Sequence, residues 1–250
     1  MKNDGGVRFV DRKGLRVRIF VLTGAGVSAE SGLGTFRDKD GVWTKYDLRD
    51  VATPEGFARD PALVRAFYNA RRANLADASP NAAHAALVRL EAELAARGGE
   101  LFLCTQNVDD LHEKAGSRRV VHMHGELAVT RCHHCQALKP DMAPLTAGAV
   151  CEACGQADGA RPHVVWFGEM PLFLDEIDAA LSRADLFVSI GTSGAVYPAA
   201  GFVAEARAMG VATCEINLEP SANAYMFDEK LYGPASELVP AWVERVLRGL

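Results

Sequence analysis

Residues Arg16 to Arg37 read RVRIFVLTGAGVSAESGLGTFR. The apolar run through Ile19, Phe20, Val21 and Leu22, ended by Gly24-Ala25-Gly26, is the pattern of a strand running into a glycine turn. Four more stretches repeat it. GELFLCTQN, Gly99 to Asn107, ends in polar residues, and RRVVHMHG, Arg118 to Gly125, is shorter. ADLFVSIGTS, Ala184 to Ser193, ends in Gly-Thr-Ser, and GVATCEINLEP, Gly210 to Pro220, passes through Asn217. Helical patterns lie between them. Asn81 to Arg97 carries Leu87, Leu90 and Leu94 on one face, and Leu172 to Arg183 and Pro198 to Met209 follow. Strands alternating with helices indicate an α/β fold built on a parallel, doubly wound sheet. Such sheets bind ligands at the carboxyl ends of their strands. Here those ends are Gly24-Ala25-Gly26, Thr105-Gln106-Asn107, Gly191-Thr192-Ser193 and Asn217.

Two stretches break the alternation. Residues 37–80 are mostly helical, and residues 125–162 are loop-rich and hold four of the six cysteines. Both read as insertions that together build a smaller second domain. Residues 1–36, 81–124 and 163–250 then form the larger one. The Ala/Gly-rich segment Ala143 to Ala149 reads as a flexible part of the cysteine module.

Within the first insertion, Asp60-Pro61 marks a helix start, an aspartate cap followed by proline at the first helical position. A helix from Pro61 to about Ala76 gathers Leu63, Val64, Ala66, Phe67, Ala70 and Leu75 into one apolar arc. Arg65 and Arg72 fall on the polar side. Arg71 instead projects into the arc, with Tyr68 at its edge. A guanidinium on an apolar face either snorkels to water or pairs with an anion.

Of the 250 residues, 49% are apolar and 24% charged, an ordinary soluble composition. A net charge of -5 argues against nucleic acid as the main partner. No early apolar segment and no run of 18 apolar residues point to export or a membrane partner, so a cytoplasmic, thiol-reducing setting is expected. Cys104 and Cys214 sit singly in apolar strands and read as small core residues. Cys132-x-x-Cys135 and Cys151-x-x-Cys154, separated by the fifteen residues Gln136 to Val150, match the spacing of a zinc site. Four thiolates close a tetrahedron and leave no open position, so the metal is expected to be structural. A catalytic zinc using His133 or His134, or a zinc-ribbon nucleic-acid module, are the competing readings.

The glycine turn allows close backbone approach to a pyrophosphate at a helix N-terminus, and Phe36 and Arg37 beside it suit a dinucleotide with a flat ring. Gly-x-Gly also occurs as a plain tight turn. Gln106, Asn107 and Asp109 close a strand and open a helix. Amide side chains there match ribose hydroxyls and a carboxamide, while Asp109 or Asp110 would serve equally as a cap. His122 and His124 are spaced to point the same way from a strand. His124, next to a glycine at a domain crossing, is the better candidate for a general base.

GAGVSAESGLGTFR, TQNVDDLHEKAG, HMHGEL, the paired Cys-x-x-Cys, RPHVVWFGE, GTS and INLEP follow one another here in the order seen in sirtuins. The chain resembles that family over roughly residues 18 to 240, and YNARR and GPAS resemble its bacterial CobB-type branch. The resemblance implies a Rossmann-like NAD domain and a small zinc domain, with acyl-lysine protein or peptide substrates threading the cleft between them. It implies that Gly24, Ala25, Gly26, Ser28, Glu30, Ser31, Thr35, Phe36, Arg37 and Trp43 wrap NAD. Gln106, Asn107, Val108 and Asp109 would contact ribose and nicotinamide. Gly191, Thr192, Ser193, Asn217, Leu218 and Glu219 would hold the adenosine half, and Ala235 would lie near the adenine.

By the same resemblance Val164 and Phe167 line the acyl-lysine tunnel, and Tyr68 and Arg71 read succinyl and malonyl groups. His124 would activate a ribose hydroxyl as general base, and Cys132, Cys135, Cys151 and Cys154 would hold one structural zinc. The implied activity is NAD-dependent removal of acetyl, succinyl or malonyl groups from lysine, giving nicotinamide, O-acyl-ADP-ribose and free lysine. An NAD-dependent ADP-ribosyltransferase would use the same pocket, and a non-enzymatic NAD sensor would bind without turnover. One position departs from the pattern. Gly34 stands where the family commonly has proline, or arginine in CobB-type chains, which loosens the loop.

Overall fold

The computed structural model describes residues 16–34 and 46–250. In chain order the strands are β1 (Arg18–Thr23), β2 (Glu100–Thr105), β3 (Val120–His122), β4 (Gly125–Cys132), β5 (Leu138–Pro140), β6 (Ala160–Val164), β7 (Leu186–Ile190), β8 (Ala212–Asn217) and β9 (Glu229–Tyr232). The helices are α1 (Leu48–Val51), α2 (Pro54–Arg59), α3 (Pro61–Asp77), α4 (Ala82–Ala96), α5 (Leu111–Ala115), α6 (Leu174–Leu181), α7 (Phe202–Ala208) and α8 (Ala235–Gly249).

Six strands form one sheet in the order β3-β2-β1-β7-β8-β9, every pairing parallel. Both faces are covered. On one, Ile19 and Val21 of β1 meet Leu87, Leu90 and Leu94 of α4 and Val239, Trp242 and Val243 of α8. On the other, Phe20 and Leu22 meet Ile177 and Leu181 of α6 and Phe202 and Val203 of α7. The alternation along β1 thus feeds two cores, as a doubly wound sheet requires. Cys104 and Cys214 are packed within these cores.

The chain builds outward from β1 through β2 to β3, then restarts beside β1 with β7 and continues to β8 and β9. The reversal falls between β1 and β7, and such a switch point opens a crevice at the strands' carboxyl ends. Two glycine turns interlock there. A Cβ on Gly26 would lie 2.6 Å from Gly191 Cα, and Gly191 has φ +65°. Neither position admits a side chain without displacing the other's backbone.

The second sheet is small and antiparallel, β5-β4-β6. A third core joins it to the helices before it. Phe57, Val64, Phe67, Tyr68 and Leu75 pack with Leu127, Leu145, Val164 and Trp166. Helix α3 starts as its sequence dictates, with the Asp60 carboxylate accepting from Leu63 N at 2.9 Å. Its polar side faces protein rather than water. Arg65 donates to Ala160 O and Asp158 O, and Arg72 donates to Leu127 O, Ala143 O, Val129 O and Thr130 Oγ1. Both arginines are buried, because the small sheet covers that side with carbonyls rather than with water.

The Ala143 to Ala149 segment is also anchored. Leu145 is buried, and its backbone exchanges two hydrogen bonds with the Asn69 side chain. Among the described residues no helix is long and apolar enough to cross a membrane.

Candidate active site

At the switch point lies a cleft of about 860 Å³. The β1 turn contributes Gly24, Ala25, Gly26, Ser28 and Glu30 to its lining, and the end of β2 contributes Gln106, Asn107, Val108 and Asp109. Gly191, Thr192 and Ser193 after β7, Asn217, Leu218 and Glu219 after β8, and Ala235 at the start of α8 complete the large sheet's share. From the other side come Tyr68 and Arg71 of α3, with Val164 and Phe167. His124 stands between the two groups. Ser31 is not on this lining; its hydroxyl accepts from Asn81 Nδ2 at 3.1 Å behind the turn. Thr35, Phe36, Arg37 and Trp43 fall outside the described residues.

Hydrogen bonds fix the polar floor. Asn107 Nδ2 donates to Ser28 Oγ at 3.1 Å, and Ser28 Oγ donates to Asp109 Oδ2 at 3.2 Å. The other Asp109 oxygen accepts from Leu111 N, so Asp109 also caps the turn into α5. Burial pushes the Asp109 carboxyl above its ordinary range, against the pull of Leu111 N and Ser28. Beneath lies a second tier. Thr23 Oγ1 donates to Thr105 Oγ1, which also accepts from Asn107 N. Because the Thr23 proton is committed, His112 Nε2 is the donor to Thr23 Oγ1 at 3.0 Å.

His122 and His124 do not share a direction. Strand β3 ends at His122, which is buried against Asn107 O and Glu113 Oε1. With an acceptor at each ring nitrogen, His122 is raised above its ordinary value: burial opposes its charge and Glu113 outweighs burial. His124 sits in the turn beyond. Its Nδ1 lies 3.1 Å from Gln106 O, which can only accept, so Nδ1 carries the proton and Nε2 is a free base. Burial lowers its basicity, partly countered by Gln106 O, and keeps the ring neutral near pH 7.

Arg71 lies with its guanidinium 5.7 Å from the Tyr68 ring centroid and 5.8 Å from that of Phe67. The supporting role of Asn81 escaped the sequence reading. Asn81 caps α4 in a capping box with His84, and its amide donates to Val27 O and Ser31 Oγ, fastening the glycine turn from behind. The Asn-x-x-His spacing before a leucine-faced helix was the available signal. Glu30 does more than line the cleft: its carboxylate accepts from Ser236 N and Ser236 Oγ, closing the first turn of α8.

The four predicted metal ligands converge. All four sulfurs lie within 4.8 Å of one another, with Cys132–Cys154 at 3.9 Å and Cys135–Cys151 at 3.8 Å. A tetrahedral zinc–thiolate site has edges of about 3.8 Å, so the cluster fits a structural zinc. No histidine joins it among the described residues, and His134 Nε2 lies instead 3.1 Å from Ala157 O.

The Sir2 family model matches residues 24–198. The chain belongs to the Sir2 family. Among curated sirtuins, the NAD-dependent protein deacylase of Caulobacter vibrioides is 80% identical over 234 residues, covering 94% of this chain and 98% of that one. A Sir2 homologue solved as an ADP-ribose complex is 41% identical with a TM-score of 0.84, over 92% of each chain. A Sir2 bound to acetylated peptide is 27% identical with a TM-score of 0.76, covering 92% of this chain and 93% of that one.

Proposed function

We propose that this sirtuin is an NAD-dependent protein-lysine deacylase, accepting acetyl-lysine and the acidic succinyl- and malonyl-lysine. The observation that carries the reading is His124, held as a neutral base with Nε2 free at the centre of a cleft between two differently built walls. We read residues 37–80 and 125–162 as the small domain and the remainder as the NAD domain.

NAD, when bound, supplies the ADP-ribosyl group that takes the acyl chain from lysine as nicotinamide leaves. The chain's own residues hold and orient it. The side-chain-free turns at Gly24, Gly26 and Gly191 let backbone N–H groups approach the pyrophosphate. Asn107, Ser28 and Asp109 present a pre-ordered donor and acceptor set to the nicotinamide and its ribose. Asn217, with Nδ2 on Thr192 O at 2.7 Å, ties the β8 turn to the β7 turn on the adenosine side. His124 Nε2 takes the proton of a ribose hydroxyl. Val164 and Phe167 line the lysine tunnel, and Tyr68 and Arg71 meet the far end of the acyl chain, where a carboxylate pairs with both. The thiolate cluster, kept out of disulfides, agrees with a cytoplasmic setting.

The test is one peptide bearing acetyl-, succinyl- or malonyl-lysine, incubated with NAD and followed by mass spectrometry. Loss of the acyl mass with release of nicotinamide is expected, and His124→Ala should lower turnover by about 10² to 10⁴. Transfer of ADP-ribose onto protein, or NAD binding without nicotinamide release, would overturn the reading.

A further inference from the structure

Tyr68 is almost fully buried, and among the described residues its hydroxyl makes one hydrogen bond, to Trp166 Nε1 at 2.9 Å. The direction of that bond is not negotiable. An indole nitrogen can only donate, whereas a phenol can donate or accept. Tyr68 Oη therefore accepts from Trp166, and its own proton is left over.

The indole is fixed from three sides. Trp166 N donates to Glu169 Oε2 at 2.9 Å. The Arg161 guanidinium lies over the ring, with its central carbon 3.2 Å from the centroid, and grips Glu169 through both oxygens at 2.7 and 2.9 Å. Arg131 adds a third hold on Glu169 at 3.0 Å. Phe57 packs against the indole with ring centroids 5.4 Å apart. Arg161 and Trp166 are both sealed from solvent. The indole N–H cannot turn away from Tyr68 without undoing this stack.

We propose that Trp166 is a specificity-positioning residue: its indole N–H occupies the accepting side of the Tyr68 hydroxyl, so that the Tyr68 proton is presented to the acyl chain and the site favours an anionic acyl group over a neutral one. The inference rests on the reading that Tyr68 and Arg71 face the acyl chain. Both residues line the cleft, one helical turn apart. With Trp166 donating, Tyr68 and Arg71 offer this end of the tunnel a hydroxyl donor and a cation. A carboxylate satisfies both at once. The methyl end of an acetyl group gives the Tyr68 proton no acceptor, and a buried hydroxyl donor without a partner is costly. Burial also raises the Tyr68 hydroxyl above its ordinary value, which keeps that proton in place.

The experiment measures kcat/KM for one peptide carrying succinyl-lysine or acetyl-lysine and reads the ratio. Trp166→Phe, which keeps a ring but removes the donor, should lower the succinyl-to-acetyl ratio about tenfold, the effect of one hydrogen bond. Tyr68→Phe should lower it at least as far, and the double variant should fall no further than Tyr68→Phe alone. Where Trp166→Phe does not fold, benzothienylalanine at position 166 keeps the indole shape with sulfur in place of N–H and should give the same tenfold fall. A ratio within about twofold of wild type, or additive effects in the double variant, would overturn the proposal and leave Trp166 a packing residue. Arg71→Met separates the two levels. If Arg71→Met and Tyr68→Phe leave the ratio unchanged, the acyl-end reading itself fails. If they lower it and the position 166 variants do not, only the role of Trp166 fails.

Discussion

The two walls of the cleft are held together by different physics. Strands β1, β2 and β7 are buried almost end to end between two apolar layers. Strand β5 is fully exposed and β4 only partly covered. A three-stranded sheet of this size cannot cover itself, and small modules are commonly stapled by metals. Here the staples are four thiolates and two buried arginines, Arg65 and Arg72, spent on main-chain carbonyls. The large sheet is stable through area, the small one through a smaller core and a few strong directional bonds. Removing a staple should therefore loosen the small wall and leave the large one standing.

Loss of the metal is the strongest way to break that contrast. Structural zinc in small modules contributes about 10 kcal/mol, nearly all of it folding energy. Cys135→Ser should abolish zinc binding by elemental analysis and free the amides of β4 and β6 to exchange, while those of β1 and β7 remain protected. Deacylation should vanish with them, because Tyr68 and Arg71 of α3 stand on the small wall. If β1 and β7 lose protection to the same extent, the two regions are one cooperative unit and the comparison fails.

Acid should strike the large region in its own way. Burial lowers His84 to about 4 and His112 to about 3, from an ordinary 6.5. Their folded values lie below the unfolded one, so the stability they confer is complete above pH 6.5 and is lost as pH falls toward 4 and 3. Each is worth of order 3 kcal/mol across that window. His122, raised by Glu113, has the opposite sign and offsets part of the loss. Urea midpoints measured from pH 7 to 4 should fall steeply, and His112→Gln should flatten the slope. An unchanged slope would show that the acid sensitivity lies elsewhere.

Arg72 tests the small wall without touching its metal. Arg72→Met leaves three carbonyls and the Thr130 hydroxyl without their donor, a cost of about 3 kcal/mol. Hydrogen exchange should locate the loss in β4 and the 143–149 segment, with zinc still bound. Leu87→Ala in the large core costs a similar amount, about 3 kcal/mol, but should lower the protection of the six-stranded sheet as a whole.

How much of this could be read beforehand follows the same division. The large sheet announced itself because apolar runs, glycine turns and polar strand ends are local signals, although β9, four residues long and half-exposed, gave too little to stand out, and the amphipathic helix α8 went unread. The four cysteines were legible by spacing alone. The burial of Arg65 and Arg72 could not be read, because helical periodicity reports which side of a helix is polar, not what covers it. Their partners are carbonyls some 55 to 95 residues away, and carbonyls carry no sequence signature. Trp166 stood in a recognised motif, yet its hydrogen bond to Tyr68 spans 98 residues and needed coordinates.

The mildest effect belongs to the rim of the large wall. Gly34 lines the cleft and is exposed, at the end of a turn otherwise fastened by Asn81 and by Glu30 on Ser236. Those fasteners act on Val27, Ser31 and Glu30, and none of the bonds named here reaches Gly34. A glycine at such a place loses more backbone entropy on ordering than any other residue, about 0.5 to 1 kcal/mol relative to alanine. Gly34→Arg should thus tighten NAD binding by about two- to fivefold, read by isothermal titration, with little change in thermal midpoint because neither core is involved. Equal NAD affinity and turnover in both proteins would mean that the turn is already ordered by Asn81 and Glu30. The preorganisation of this wall would then belong wholly to its fasteners and not to the residue at position 34.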